Sequence, residues 1–183
     1  NGQFLLFTRK TYQDIGGHDA VKEHLLEDIA FARHLCYNGL GKVQVLFADG
    51  MLQCSMYPTF AAFQAGWKRI YIEAASKNIK RLRQNAILAL IVGVLFPIAG
   101  MAGIFVGMQV SPLLFWTSIA SLISAFLVIA GLYRINNAPI IFALFAPIGA
   151  AVVAKIFLNA VFTLKHRIPI HWGGKEYILE PKK

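Results

Sequence analysis

The chain has 183 residues, 57% of them hydrophobic, and 18 Lys and Arg against 9 Asp and Glu, for a formal net charge of +9. The apolar residues gather after Asn85 and most acids lie before Lys77, which excludes an ordinary soluble domain and indicates an integral membrane protein with a polar N-terminal part. The basic residues cluster beside apolar segments, so they read as membrane-surface contacts and give no support to nucleic-acid binding.

The opening "NGQFLLFTRKTY" starts with Asn and lacks the charged start, apolar run and cleavage site of a signal peptide, so an internal fragment is expected. Its apolar run predicts a buried strand leading into a loop at Gly16-Gly17, where two glycines permit close backbone approach. From Leu25, the residues Leu25, Leu26, Ile29, Ala32 and Cys36 recur at helical spacing, and Asn38-Gly39 supplies a stop. Glu27 and Asp28 then fall in the first helical turn. Asp49-Gly50 inside "KVQVLFADGMLQCSMY" predicts a hairpin. Cys36 and Cys54 form no CxxC and have no His at ligand spacing, so neither zinc nor a disulfide framework is indicated, and a reducing, cytoplasmic polar region is expected.

Pro58 opens an expected amphipathic helix over 58–84, with Phe60, Phe63, Trp67, Ile70 and Ala74 on one face. Lys68, Arg69, Lys77, Lys80, Arg81 and Arg83 are spread around the rest, the pattern of a helix in the membrane interface. Apolar segments follow at about 86–108, 112–133 and 138–164, each near or above the ~20 residues a spanning helix needs. A basic tail, 165–183, closes the chain. The basic helix, set against the uncharged "GMQVSP" after the first apolar segment, predicts a cytoplasmic polar region, and Arg134 agrees. The tail does not: three crossings put Lys165, Arg167, Lys175, Lys182 and Lys183 on the far side. A fold-back, either in "LFPIAGMAGIFVG" or around Pro147, Gly149 and Lys155, removes the conflict.

An acid in the first turn of a helix is stabilised by the unpaired amides and the macrodipole by roughly 0.3–1 kcal/mol, so Glu27 and Asp28 need mean no more than a favourable helix start. The same field would keep Asp28 ionised and able to accept a proton from an attacking hydroxyl. Charge placement alone fits both.

The succession "FTRKTYQDIGGHDAVKEHLLEDIAFARHLCYNG", "MYPTFAAFQAGWKRIY", apolar segments and a final "IHWGGKEY" closely resembles the C-terminal half of membrane-bound family 2 glycosyltransferases, of the ceramide-glucosyltransferase-like, carotenoid- or hopanoid-associated type. Its most specific part is Gly16-Gly17-His18, Glu27-Asp28, Met56-Tyr57 and Gly66-Trp67 in that order and spacing. The resemblance implies an α+β C-terminal part of a GT-A-type (α/β) catalytic domain over 1–57, followed by the interfacial helix and about three transmembrane helices. It implies inverting transfer of a sugar from a nucleotide sugar to a lipid-type acceptor at the membrane surface, with Asp28 as general base and Glu27 supporting it. Gly16, Gly17 and His18 would form the acceptor-side loop.

The same resemblance sets Gln64, Trp67, Lys68 and Arg69 where processive relatives carry Q-x-x-R-W, with the order changed, so Lys68 or Arg69 would neutralise the leaving diphosphate. Trp172, Lys175 and Tyr177 of "WGGKEY" would pack near the membrane mouth of the site. A divalent metal, Mg or Mn, is expected with its ligands mostly outside these residues, since no D-x-D motif occurs and Asp14 and Asp19 do not form one. The fragment alone is then expected to be inactive, and the location implied is a bacterial inner membrane. The competing readings are a processive polysaccharide synthase, which the few polar residues of the spans (Gln109, Lys155, Asn159) disfavour, and a non-catalytic anchor or transporter working through Lys155.

Overall fold

A computed structural model describes residues 4–46, 51 and 55–182. They form seven α-helices and, at the tail, one two-stranded sheet. Two compact units result. One holds the chain up to Lys77 together with Arg167–Glu180, and the other holds Asn78–His166.

The first unit opens with Phe4–Thr8 outside any strand, Leu6 being 85% exposed, and continues into α1 (Arg9–Asp14). The strand expected here does not form, because no strand among the described residues offers its backbone amides and carbonyls a ladder. The same reason applies to the described residues of 42–57, none of which is in a strand; the expected turn at Asp49-Gly50 lies outside the described residues. Thr8 caps α1 by accepting the Thr11 amide at 3.1 Å.

Helix α2 (Glu27–Tyr37) starts with the two acids, and its end is a glycine stop: Gly39 has φ +64° and the Leu40 amide reaches back to the Leu35 carbonyl at 3.1 Å. The core beneath it is Ile15, Val21, Ala30, Phe31 and Leu35, flanked by Phe7 and Tyr12. That stripe differs from the expected one. Ile29 and Ala32 are only half-buried and Cys36 is exposed, because the bulky Phe31 turns the helix face toward the core.

The helix expected over 58–84 is two helices. Pro58 stands before the N-cap: Thr59 accepts the Ala62 amide at 3.1 Å and α3 runs Phe60–Ala74. It stops where Ser76 and Lys77 take left-handed backbone (φ +53° and +58°) and the Lys77 amide closes on the Ile72 carbonyl at 2.8 Å. Asn78 then caps α4 (Ile79–Leu90) through its side-chain oxygen on the Arg81 amide at 3.1 Å. The strong N-cap residue ends one helix and begins the next.

In the second unit, α4 continues through a π-helical stretch, Ile91–Leu95, into α5 (Phe96–Val110). Pro97 accounts for the widened turn, since it lacks an amide hydrogen and its ring crowds the carbonyl of Gly93. Helix α6 (Pro112–Ile135) returns against α5, with Gly100 facing Leu122, Gly103 facing Ser118 and Gly107 facing the backbone at Phe115. Small residues at these crossings let the two backbones approach closely. A 3-10 turn, Ile140–Phe145, packs on α6 and leads to α7 (Ala146–Lys165), which packs along α4. The runs Ile79–Val110, Pro112–Ile135 and Ile140–Lys165 are each long and apolar enough to cross a membrane, and their side chains are mostly unburied within the protein. These correspond to the three expected segments.

The tail returns to the first unit as a hairpin, β1 (Ile170–Trp172) with β2 (Lys175–Tyr177), antiparallel with Trp172 opposite Lys175 and Ile170 opposite Tyr177. Gly173 (φ +58°) and Gly174 (φ +75°) make the two-residue left-handed turn that matches strand twist.

Candidate active site

Helix α2 presents its acids without a conventional cap. The N-cap position is Leu26, whose side chain accepts nothing, so Glu27 and Asp28 supply the negative charge favoured by the first amides. An Asp28 carboxylate oxygen accepts the Ile29 amide at 2.8 Å. Asp28 is half-buried and Glu27 exposed.

Arg69 of α3 points inward and is only 8% exposed. Its Nη1 donates to the Leu25 carbonyl, two residues before α2, at 3.2 Å, and its guanidinium carbon stands 3.4 Å from the centre of the Trp172 ring. Burial pushes its pKa below the ordinary arginine value. Glu27 opposes that shift most strongly, followed by the Tyr57 hydroxyl, Asp28 and Tyr177. One cation thus sits in the field of both acids, under an aromatic lid supplied by the tail hairpin. Alternation places Ile170 and Trp172 on one face of β1, and Lys175 and Tyr177 on the matching face of β2.

Gly66 of α3 is where Tyr57 lies: a Cβ built there would meet the Tyr57 ring at 2.5 Å. That contact gives a physical reason for Met56-Tyr57 and Gly66-Trp67 occurring together. Along α3 the rings run from Tyr57 to Phe63 (5.8 Å), Phe63 to Trp67 (6.1 Å) and Trp67 to Tyr71 (5.3 Å). The apolar face expected on this helix is therefore an aromatic, half-exposed one, with Phe60 60% exposed. The buried face instead carries Gly66, Arg69, Ile72 and Glu73. Arg69, expected among the outward basic residues, lies inside because Trp172 and the Leu25 carbonyl together receive its flat cation.

The glycine loop is a separate feature of the same unit. Gly16 (φ +76°) and Gly17 (φ +57°) turn the chain so that His18 meets Tyr12: its amide donates to the Tyr12 hydroxyl at 3.1 Å, and its Nδ1 is 2.7 Å from the same oxygen. A Cβ on Gly17 would strike the Tyr12 ring at 2.9 Å. The His18 ring also meets the edge of Phe31 at 5.1 Å, which ties the loop to α2. Tyr12, Gln13, Gly16, Gly17, His18 and Asp19 line an open cavity of about 320 Å³.

Of the residues singled out from sequence, Glu27, Asp28, Arg69, Trp172 and Tyr177 are thus brought into one electrostatic group. Gly16, Gly17 and His18 line the cavity, and Trp67 belongs to the aromatic row. Gln64 Nε2 and Arg69 Nε are buried without a hydrogen-bond partner among the described residues. Lys68 is half-buried and Lys175 exposed; among the described residues neither forms an ion pair. Sequence reading missed Tyr57, Tyr12 and Leu25 as participants. The first was visible as part of "MYP", whereas Leu25 acts through a main-chain oxygen that carries no side-chain signature. Among the described residues no three His, Cys, Asp or Glu side chains converge to hold a metal ion.

Comparison with known families supplies the class: the protein belongs to a glycosyltransferase family. The model of glycosyl transferase family 21 matches residues 1–183, and the chain belongs to that family. No curated protein and no solved structure matches it.

Proposed function

We propose that the protein takes part in the inverting transfer of one sugar from a nucleotide sugar to the hydroxyl of a lipid-type acceptor at the membrane surface, with Asp28 as general base. The observation that carries this reading is the placement of Glu27 and Asp28 at an open helix start, in the field of the buried Arg69. The half-buried Asp28 carboxylate takes the proton of the acceptor hydroxyl as its oxygen attacks the anomeric carbon. The bond from that carbon to the donor's diphosphate breaks, the diphosphate leaves with the electron pair, and the configuration inverts.

Glu27 holds charge beside Asp28 and supports Arg69. The buried Gln64 Nε2 and Arg69 Nε, which have no hydrogen-bond partner among the described residues, are with Lys68 the donors offered to the departing anion. The aromatic outer row of α3 supports a helix lying in the bilayer interface, where a lipid hydroxyl is presented, and the Gly16-Gly17-His18 cavity supports an acceptor-side role. Trp172 closes over Arg69, Tyr177 adds to the field that favours its charge, and Lys175 stands across the strand pair from Trp172. A divalent cation, Mg or Mn, belongs to the expected reaction only as a partner of the donor's diphosphate; no residue here is assigned to it. The catalytic unit is proposed to face the cytoplasm, by the basic residues flanking α4.

The test is transfer from a radiolabelled nucleotide sugar to lipid in membranes carrying the complete gene product. Asp28→Asn should lower transfer by roughly 10²- to 10⁴-fold, the range supplied by a positioned base, with membrane insertion unchanged. Full activity in that variant would remove Asp28 from the mechanism.

A further inference from the structure

We infer that the third apolar segment does not cross the bilayer but dips into it and returns, so that the tail emerges on the membrane face from which α4 departed. The inference concerns the arrangement in the membrane and does not rest on the proposed reaction.

Register within the second unit carries it. Gly100 on Leu122, Gly103 on Ser118 and Gly107 on Phe115 fix α5 and α6 as an antiparallel pair. Continued at the same rise per residue, that register sets the end of α6 level with about Ile87, near the start of the first apolar run. On the other side, Gly93 touches Ala150, and α7 packs along α4. Since α4 precedes Gly93 and most of α7 follows Ala150, lengthwise contact is possible only if the two run antiparallel. Leu164 then comes level with about Ile79, and Ala146 with about Pro97, halfway along the run Ile79–Val110.

The segment therefore starts near the level of Ile87, turns at Phe145-Ala146 near the level of Pro97 and climbs to the level of Ile79. It never reaches the level of Ser111, where α5 gives way to α6. Its descending arm includes the six residues of the 3-10 turn, Ile140–Phe145. At about 2.0 Å each these cover less than half of a hydrocarbon core of about 30 Å. Hydrogen bonding within the 3-10 turn and α7 satisfies most of the backbone at that depth.

Charge agrees independently. Lys80, Arg81 and Arg83 at the start of α4 and Lys165 at the end of α7 gather at one level, Arg134 at the end of α6 comes level with about Leu88 toward the same end, and Gln109–Ser111 at the other end carries no charge. Lys155 comes level with about Leu88, two turns or so from that basic end and within reach of headgroups by its long stem. Connectivity agrees as well. The chain leaves the first unit at Lys77 and rejoins it at Arg167, and Trp172 then stacks on Arg69, which requires an even number of crossings between those points.

The test is side-specific labelling in sealed vesicles of known orientation. With Cys36 and Cys54 replaced by Ser, single cysteines Lys22→Cys, Gln109→Cys and Glu180→Cys are exposed to a membrane-impermeant maleimide. The expected result is that positions 22 and 180 label from one side and position 109 from the other. Labelling of 180 together with 109, and opposite to 22, overturns the inference. Should a variant fail to insert, trypsin added to vesicles bearing the unaltered protein gives the same reading. Cleavage after Arg167 or Lys175 from the side that cleaves after Lys22 supports the returning segment, and cleavage from the opposite side alone refutes it.

Discussion

The Arg69 guanidinium carbon lies against the Trp172 ring, 3.4 Å from its centre, across more than a hundred residues of intervening chain. With the bond from Arg69 to the Leu25 carbonyl, this stack links α3, the approach to α2 and the tail hairpin. Arg69→Met keeps the bulk but leaves the Leu25 carbonyl without its donor, and should destabilise the unit by about 1–3 kcal/mol. Trp172→Ala should remove about 0.5–2 kcal/mol. Thermal unfolding in detergent reads both, and the double variant should fall short of their sum because one contact is shared. Strict additivity would mean that the stack contributes nothing.

Removing the charge of Glu27 should weaken the protein through Arg69. Burial disfavours the guanidinium and Glu27 is its strongest counterweight, so Glu27→Gln should lower stability at neutral pH. The exposure of Glu27 limits the effect to about 1 kcal/mol. The loss should shrink as salt is added, and should vanish in an Arg69→Met background. Denaturant titration at two ionic strengths distinguishes this from a helix-start effect, which would persist without Arg69.

Gly66→Ala tests the Tyr57 contact. A methyl at that position has no room against the ring, and overpacking of this kind destabilises by roughly 1–3 kcal/mol. Alanine's better helix propensity offsets about 1 kcal/mol of it. Shortening the ring, as in Tyr57→Leu, should make Gly66→Ala neutral or stabilising. The measurement is the midpoint of thermal unfolding across the four combinations.

Tyr71 gives an alkaline signature. Burial raises its phenol above the ordinary value of 10.0, while the unfolded chain ionises near that value. The folded form therefore holds its proton more tightly: the contribution is complete below about pH 10 and is lost as pH rises through the folded-state value. Unfolding midpoints should fall more steeply above that pH in the native protein than in Tyr71→Phe, with phenolate absorbance reporting the titration.

How much of this was legible in the sequence depended on the range of the interaction. The three apolar segments follow from run length alone, and α2 follows from local spacing, acids at its start and Asn38-Gly39 at its end. The break between α3 and α4 was signalled by Asn78, a strong cap, but charges on both sides read as one continuous amphipathic pattern. The tail hairpin is signalled by Gly173-Gly174 between two short β-prone stretches, but the tail's five Lys and Arg dominate the pattern and read as a basic tail. Burial of Arg69 had no local sign at all, because its partners are a ring far along the chain and a main-chain oxygen. The expected strand at the start failed for the converse reason: a strand-like composition makes no sheet without a neighbour.

The two partners of Arg69 constrain evolution unequally. A carbonyl oxygen is present whatever residue occupies position 25, so that half of the attachment places no demand on the identity of Leu25 beyond filling an apolar pocket. The ring is different, since only an aromatic face receives a flat cation. Across related chains, positions 69 and 172 should therefore vary together, whereas position 25 drifts among apolar residues without regard to either.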